Sequence, residues 1–256
     1  MQHRILEAIT LSELAYENQK KVELALVHKA KHLKHIDIPS FDIEGFFYET
    51  ENTAWVVIRG TEMTSIDDWL TNLDCSFTPT GWGDIHHGFY QDALMAYHSV
   101  RDDIAIATAR GKEVIFTGHS QGAAVATLMF AMHANPISMC IPIESPRCFS
   151  KVAAENFGTM YGHRVFQVIN NNDVVPRLPP RALGYRHIPG ANLRYINRKG
   201  KVLHKVSKWN KIIDNFLGLL MDFGKPGLDG IKDHDIGDIK NIWKNQMRRK
   251  QNGEKD

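Results

Sequence analysis

Several features that would decide the class of this chain are scarce or missing. Its 256 residues hold three cysteines, Cys75, Cys140 and Cys148. So few, and an odd number, exclude a disulfide-stapled scaffold, and none has the paired spacing of a zinc site. Cys140 and Cys148 are expected as buried free thiols. The formal net charge is only +2, so there is no basic field of the kind that binds nucleic acid. No apolar run approaches the roughly 18 to 20 residues of a membrane span; the run after Ala123 is broken by His133, Asn135 and Pro136. Residues 1–18 are amphipathic and carry Glu7, Glu13 and Glu17, which is unlike the apolar core of a general secretory signal. The expected location is therefore cytoplasmic, or outside by a route that uses no such signal. Repeats and low-complexity linkers are also missing, so a single domain over 1–256 is expected.

What is present alternates in type. Residues 4–17 and 20–32 read as helices, and 42–49 and 53–59 as strands joined by a turn at Glu51-Asn52. A long helix pattern covers 89–109, with Phe89, Ala93, Ala96, Tyr97, Val100, Ile104 and Ala107 on one face and Gly111 past its end. Further strands are expected near 114–116, 138–143, 164–170, 193–197 and 201–206. Helices are expected from the 121 region to Met132, over 207–222, and from Ile236 to Met247, ahead of a flexible basic tail near 247–256. Helices interleaved with buried strands predict an α/β fold, with a mostly parallel central sheet covered on both faces.

The most informative stretch is Val114-Ile-Phe-Thr-Gly-His-Ser-Gln-Gly122. A β-branched and aromatic run leads into a G-x-S-x-G frame, and an Ala-rich apolar helix pattern follows. Strand, sharp turn and helix are the context of a nucleophile elbow. The tip residue, Ser120, is expected in a strained backbone conformation, with its Oγ exposed above the sheet and a helix N-terminus behind it that favours developing negative charge.

Such a serine needs a base and an acid, in the chain order serine, carboxylate, histidine. Asp173 follows the strand pattern of Val165, Phe166, Val168 and Ile169 and precedes Val174-Val-Pro-Arg-Leu-Pro-Pro180. Its neighbours also read as an asparagine-rich turn. Of thirteen histidines, only His187, His204 and His234 come after it. His187 is too close for another strand to intervene, and His204 sits inside a strand pattern. His234 follows the turn-rich Lys225-Pro-Gly-Leu-Asp-Gly230 and precedes a helix, so it is the candidate base. The aspartates around it (Asp229, Asp233, Asp235 and Asp238) lack a recognised metal-loop spacing. Neither a metal nor another cofactor is expected.

Read together, these pieces resemble the class 3, fungal-type triacylglycerol lipases. The matching stretches are Val57-Ile-Arg-Gly-Thr61, His87-Gly-Phe89, Thr117 to Ala123, Ser145-Pro-Arg147 and Asn172 to Pro180, in the family's order and over roughly residues 40–240. The resemblance implies an α/β-hydrolase fold, with Ser120 as nucleophile, Asp173 as acid and His234 as base. It implies backbone donors at Thr61 and Gln121 for the oxyanion. The family's other histidine after the double proline corresponds to His187 and is not the base. The resemblance also places a lid at 62–74. There Ile66, Trp69, Leu70 and Leu73 share one helical face, and Asp67, Asp68, Asn72 and Asp74 lie on the other. Such a face would cover an acyl groove when closed and touch a lipid–water interface transiently when open.

The function so implied is a serine carboxylester hydrolase, a lipase cleaving acylglycerols through an acyl-enzyme. Phospholipase A1 and short-chain carboxylesterase remain open within the same chemistry. A catalytically inactive lipase-like interaction scaffold remains open as another class.

Overall fold

The computed structural model describes residues 1–60, 74–133, 135–171, 173–197, 199–204 and 234–252. Eight strands form the main sheet, in the order β1-β2-β3-β6-β7-β9-β11-β12. They are His32–Ile38, Ile43–Glu49, Thr53–Ile58, Glu113–His119, Met139–Ile143, Val168–Asn170, Arg194–Ile196 and Val202–Leu203. The centre, β3 through β11, is parallel, and β1, β2 and β12 add antiparallel pairs at the edges. This is the mostly parallel α/β sheet the element pattern predicts, in the α/β-hydrolase-like form the resemblance implies.

Alternation along the strands separates two cores. On one face Val56, Ile58, Val114 and Phe116 pack with α3 (His87–Ala109), α4 (Gln121–His133) and α5 (Lys151–Tyr161). On the other, Trp55, Val57, Ile115, Ile141 and Val168 pack with α1 (Gln2–Leu14), α2 (Gln19–Leu26) and α6 (Ile236–Gln251). A period of two sends neighbouring side chains to opposite faces, so a sheet buried on both sides needs apolar residues at nearly every position. α4 is buried from Gly122 to Ala131, which its small residues Ala123, Ala124 and Ala126 permit by letting the helix approach the sheet closely.

Several expectations are corrected. The second helix ends at Leu26 instead of 32, because residues 32–38 are drawn into full-length antiparallel pairing with β2, His32 opposite Glu49 and Ile38 opposite Ile43. Non-local pairing here overrides helix propensity. The strand expected over 164–170 is regular only from Val168, with Val165 bridging to Cys140. α5 has no counterpart among the expected helices, although Ser150 caps it by accepting from the Ala153 N–H. A second, small antiparallel sheet orders β10 (Tyr185–Arg186), β8 (Phe149–Ser150), β5 (Gly83–His86) and β4 (Phe77–Thr80). The last helix, expected to end at Met247, runs on to Gln251. Ile239 and Trp243 anchor α6 in the core, and Arg248 and Arg249 stand where a helix C-terminus favours positive charge. The lid residues and the 207–222 helix lie outside the described residues.

Candidate active site

The site is built at the carboxyl ends of three adjacent parallel strands. β6 ends at His119, and Ser120 turns the chain at φ 56° into α4. A positive φ at a non-glycine residue is strained, and the surroundings hold it in place: the Ser120 N–H donates to Ile143 O at 3.0 Å, tying the turn to the end of β7. Two flanking glycines are sterically required. A Cβ on Gly122 would stand 2.4 Å from Ile58 O and 2.5 Å from Arg59 O. One on Gly60 would stand 2.4 Å from His119 O and 3.0 Å from the Ser120 Cβ. The Arg59-Gly60 backbone therefore runs directly beside the serine. Ser120 is 0 % exposed, against the expected exposed tip, and this crowding is part of the reason.

β9 leads to Asp173, the expected acid. Past Asn170 the chain turns, with the Asp173 N–H donating to Asn170 O at 3.0 Å and Asp173 Oδ1 accepting from the Val175 N–H at 2.8 Å. The remaining oxygen, Oδ2, lies 2.6 Å from His234 Nδ1. Both residues are buried, and an ionised carboxylate can only accept. The Nδ1 hydrogen therefore points at Asp173, and Nε2 is left as the basic nitrogen. Asp235 holds His234 in place from the next position, capping α6 by accepting from the Gly237 N–H at 2.7 Å. This gives Asp235 a structural role, and Asp238 occupies the first turn of the same helix. Asp229 and Asp233 lie outside the described residues.

Ser120 Oγ and His234 Nε2 are among several buried polar side-chain atoms with no hydrogen-bond partner among the described residues. They are the two atoms that proton transfer in a serine hydrolase would use. The rings of His234 and His119 are 4.5 Å apart, and His119 Nδ1 is hydrogen-bonded to Tyr16 OH at 2.8 Å. Complete burial, and secondarily His234, hold His119 well below the usual histidine range. It therefore packs as a neutral ring.

Gln121 follows the serine and opens α4, where backbone N–H groups lack helical acceptors. Its side-chain Nε2 donates to Asp92 Oδ2 at 3.1 Å. Burial raises the Asp92 carboxyl to about 6, although the Gln121 hydrogen bond pulls the other way. Thr61, the other expected oxyanion donor, lies outside the described residues, as do Ile66, Trp69, Leu70 and Leu73. The rival histidines sit elsewhere: His187 Nδ1 is 3.2 Å from Gln167 Nε2, and His204 is exposed just past β12. Cys140 and Cys148 are buried and free.

Sequence reasoning missed three participants. Tyr16 carries no local signal. Arg147 explains the Ser-Pro-Arg stretch: its N–H donates to Leu178 O at 2.6 Å, and Nη1 donates to Pro179 O at 2.8 Å and to Arg177 O. It clamps the loop that follows Asp173. Glu144, immediately before that stretch, is fully buried at φ 52°. Glu144, Asp173 and His234 each present one ligand-type atom, all within 4.8 Å of one another. This is the only place among the described residues where three groups able to hold a metal ion converge, and the His234–Asp173 hydrogen bond already engages two of them.

The sheet thus carries an elbow serine at its strand ends and a buried His–Asp pair at the same end. Comparison with known proteins then identifies the family: residues 55–183 match the model of the lipase (class 3) family, and the chain belongs to it. Over 160 residues, 56% of this chain, it is 33% identical to secreted mono- and diacylglycerol lipase 1 of Fusarium solani. Over 154 residues, 48% of this chain, it is 30% identical to the chloroplastic phospholipase A(1) DAD1 of Arabidopsis thaliana. The matches span 45% and 33% of those proteins, so this chain spans less than half the length of either. Among solved structures, a triacylglycerol lipase whose catalytic centre is a serine protease triad shares the fold, with a TM-score of 0.70 at 20% identity over 91% of this chain and 92% of that one. Among the described residues no helix is long and apolar enough to cross a membrane.

Proposed function

We propose that this protein is a serine carboxylester hydrolase that cleaves acylglycerol esters through an acyl-enzyme. The observation that carries the reading is the buried His234–Asp173 hydrogen bond of 2.6 Å, with His234 Nε2 and Ser120 Oγ both left unpartnered. His234 takes the Ser120 proton as Oγ attacks the ester carbonyl. The tetrahedral oxyanion is held by the backbone N–H groups of Gln121 and Thr61, each worth ~3 kcal/mol to the transition state. As the ester C–O bond breaks, His234 returns its proton to the departing alcohol. Water then attacks the acyl-enzyme by the same route and releases the carboxylic acid and free Ser120. Asp173 fixes the imidazole tautomer and stabilises the imidazolium throughout. The chemistry requires no metal or other cofactor.

The full burial of Ser120 means that substrate reaches it only after something moves. We assign that movement to the lid at 62–74, with Ile66, Trp69, Leu70 and Leu73 as its apolar face and transient contact with a lipid–water interface on opening. Acylglycerols are preferred as substrates because the Fusarium relative is a mono- and diacylglycerol lipase. The Arabidopsis relative is a phospholipase A1, which keeps phospholipid as the second reading.

A substrate panel separates these readings: p-nitrophenyl esters of rising chain length, an acylglycerol emulsion and phosphatidylcholine vesicles, with Ser120→Ala as control. Turnover of the emulsion above that of the vesicles, and none in the variant, is expected. Turnover of vesicles alone indicates a phospholipase, short soluble esters alone a plain esterase, and no turnover of anything an inactive scaffold.

A further inference from the structure

Glu144 is a full carboxylate buried beside the proposed acid–base pair, and the reaction as described above makes no use of it. It sits at the carboxyl end of β7, between the strand that carries the serine and the strand that carries Asp173. Its backbone N–H donates to Val168 O at 3.0 Å, and its Oε1 accepts from the Asn170 N–H. It is thus fastened at two points to the end of β9, from which Asp173 hangs. Its φ of 52° is one that glycine adopts without strain and a β-substituted residue does not. A residue with a large side chain in such a position, holding a carboxyl group out of water, is costly to the fold and asks for a function.

We propose that Glu144 is a second acid of the site, a positioning residue that works through His234: it shares with Asp173 the stabilisation of the imidazolium and partly replaces Asp173 when that carboxylate is removed. The geometry behind this is the convergence of one oxygen from each carboxylate and one His234 nitrogen within 4.8 Å. At that separation in a dry environment a negative charge favours the protonated imidazole. Among the described residues, the titratable groups facing His234 are Asp173 after β9, Glu144 after β7 and His119 at the end of β6, with Tyr16 of α1 behind His119. His119 is kept neutral by burial. The exposed Asp235 is engaged with the α6 N-terminus. Among the described residues, the two buried carboxyl groups are the acids that converge on His234.

The inference rests on the proposed triad, and the test separates the two. Hydrolysis of p-nitrophenyl butyrate is followed from pH 4.5 to 9 in the wild type, Glu144→Gln, Asp173→Asn, the double variant and Ser120→Ala. Glutamine keeps an oxygen for the Asn170 N–H but removes the charge. With one of two acidic neighbours neutralised, the imidazolium is less stabilised, so the acid limb of kcat/KM in Glu144→Gln should move to lower pH. Asp173→Asn should lose roughly 100-fold in kcat, well short of the roughly 10,000-fold expected where one acid stands alone. The double variant should fall to the level of Ser120→Ala. A purely structural Glu144 would change melting temperature and leave the limb where it is. If Glu144→Gln does not fold, Glu144→Gly, which suits the backbone, is read for the same shift. An unmoved limb in a folded variant, or an Asp173→Asn protein already as inert as Ser120→Ala, overturns the role of Glu144 alone. Hydrolysis that survives in Ser120→Ala overturns the triad itself.

Discussion

Replacing Asp92 by asparagine should stabilise the protein at neutral pH and leave it unchanged in acid. Asp92 lies on α3, and burial lifts its carboxyl from the ordinary 3.8 to about 6. Below pH 3.8 both folded and unfolded chains carry it protonated, and it costs nothing. Between about pH 4 and 6 the folded chain binds more protons at this site than the unfolded chain does, so stability falls as pH rises through that window. Above about pH 6 the full cost of holding the charge is present. At 1.36 kcal/mol per pH unit the rise corresponds to ~3 kcal/mol, and partial access of water to the group brings it to about 1–2 kcal/mol. Asparagine removes that cost, and its Oδ1 still accepts from Gln121 Nε2. For a chain of this size the gain is about 3–6 °C in melting temperature at pH 7. The assay is thermal unfolding of wild type and Asp92→Asn across pH 4 to 8. The difference between the two should open between pH 4 and 6 and then stay level. A constant difference, or a variant less stable at pH 7 than at pH 4 relative to wild type, would refute the reasoning.

Gly122→Ala should cost ~3 kcal/mol in denaturant unfolding, because its Cβ meets two backbone carbonyls that cannot turn aside; unchanged stability would mean the strand end and the elbow do not run this close. His187→Ala and His204→Ala should keep kcat within about threefold of wild type; His187→Ala acts on stability instead, since His187 is bonded to Gln167, and the exposed His204 changes stability little. A loss of kcat beyond 100-fold in either would reassign the base. Trp69→Ser should slow hydrolysis of emulsified long-chain esters several-fold and spare soluble short-chain ones. Equal losses on both would make 62–74 an ordinary surface segment.

The parts of the site legible in the sequence were those encoded by local order. Val114 to Gly122 announces strand, turn and helix through residue types alone, and it placed Ser120 at the turn the structure shows. His234 was reached by eliminating His187 and His204, and the structure sets it against Asp173 at 2.6 Å. The pieces that were missed depend on partners distant in sequence. Residues 32–38 become a strand only because β2 pairs with them, and β4, β5, β8 and β10 are too short to show a period. Arg147 reaches across about 30 residues to the loop after Asp173, and nothing local marks that clamp. Glu144 is a lone carboxylate whose meaning is its neighbours, and it breaks the local rule that a charge belongs outside a core. Such violations concentrate at functional sites.

The most direct measurement of the central claim is active-site labelling with a fluorophosphonate, read by intact-mass and peptide mass spectrometry. One adduct per chain, on the peptide containing Ser120, is predicted for the wild type. None is predicted for a folded Ser120→Ala protein, and labelling slowed by several orders of magnitude for His234→Ala. A wild-type adduct on any other residue, or labelling of Ser120 at full rate without His234, would contradict it.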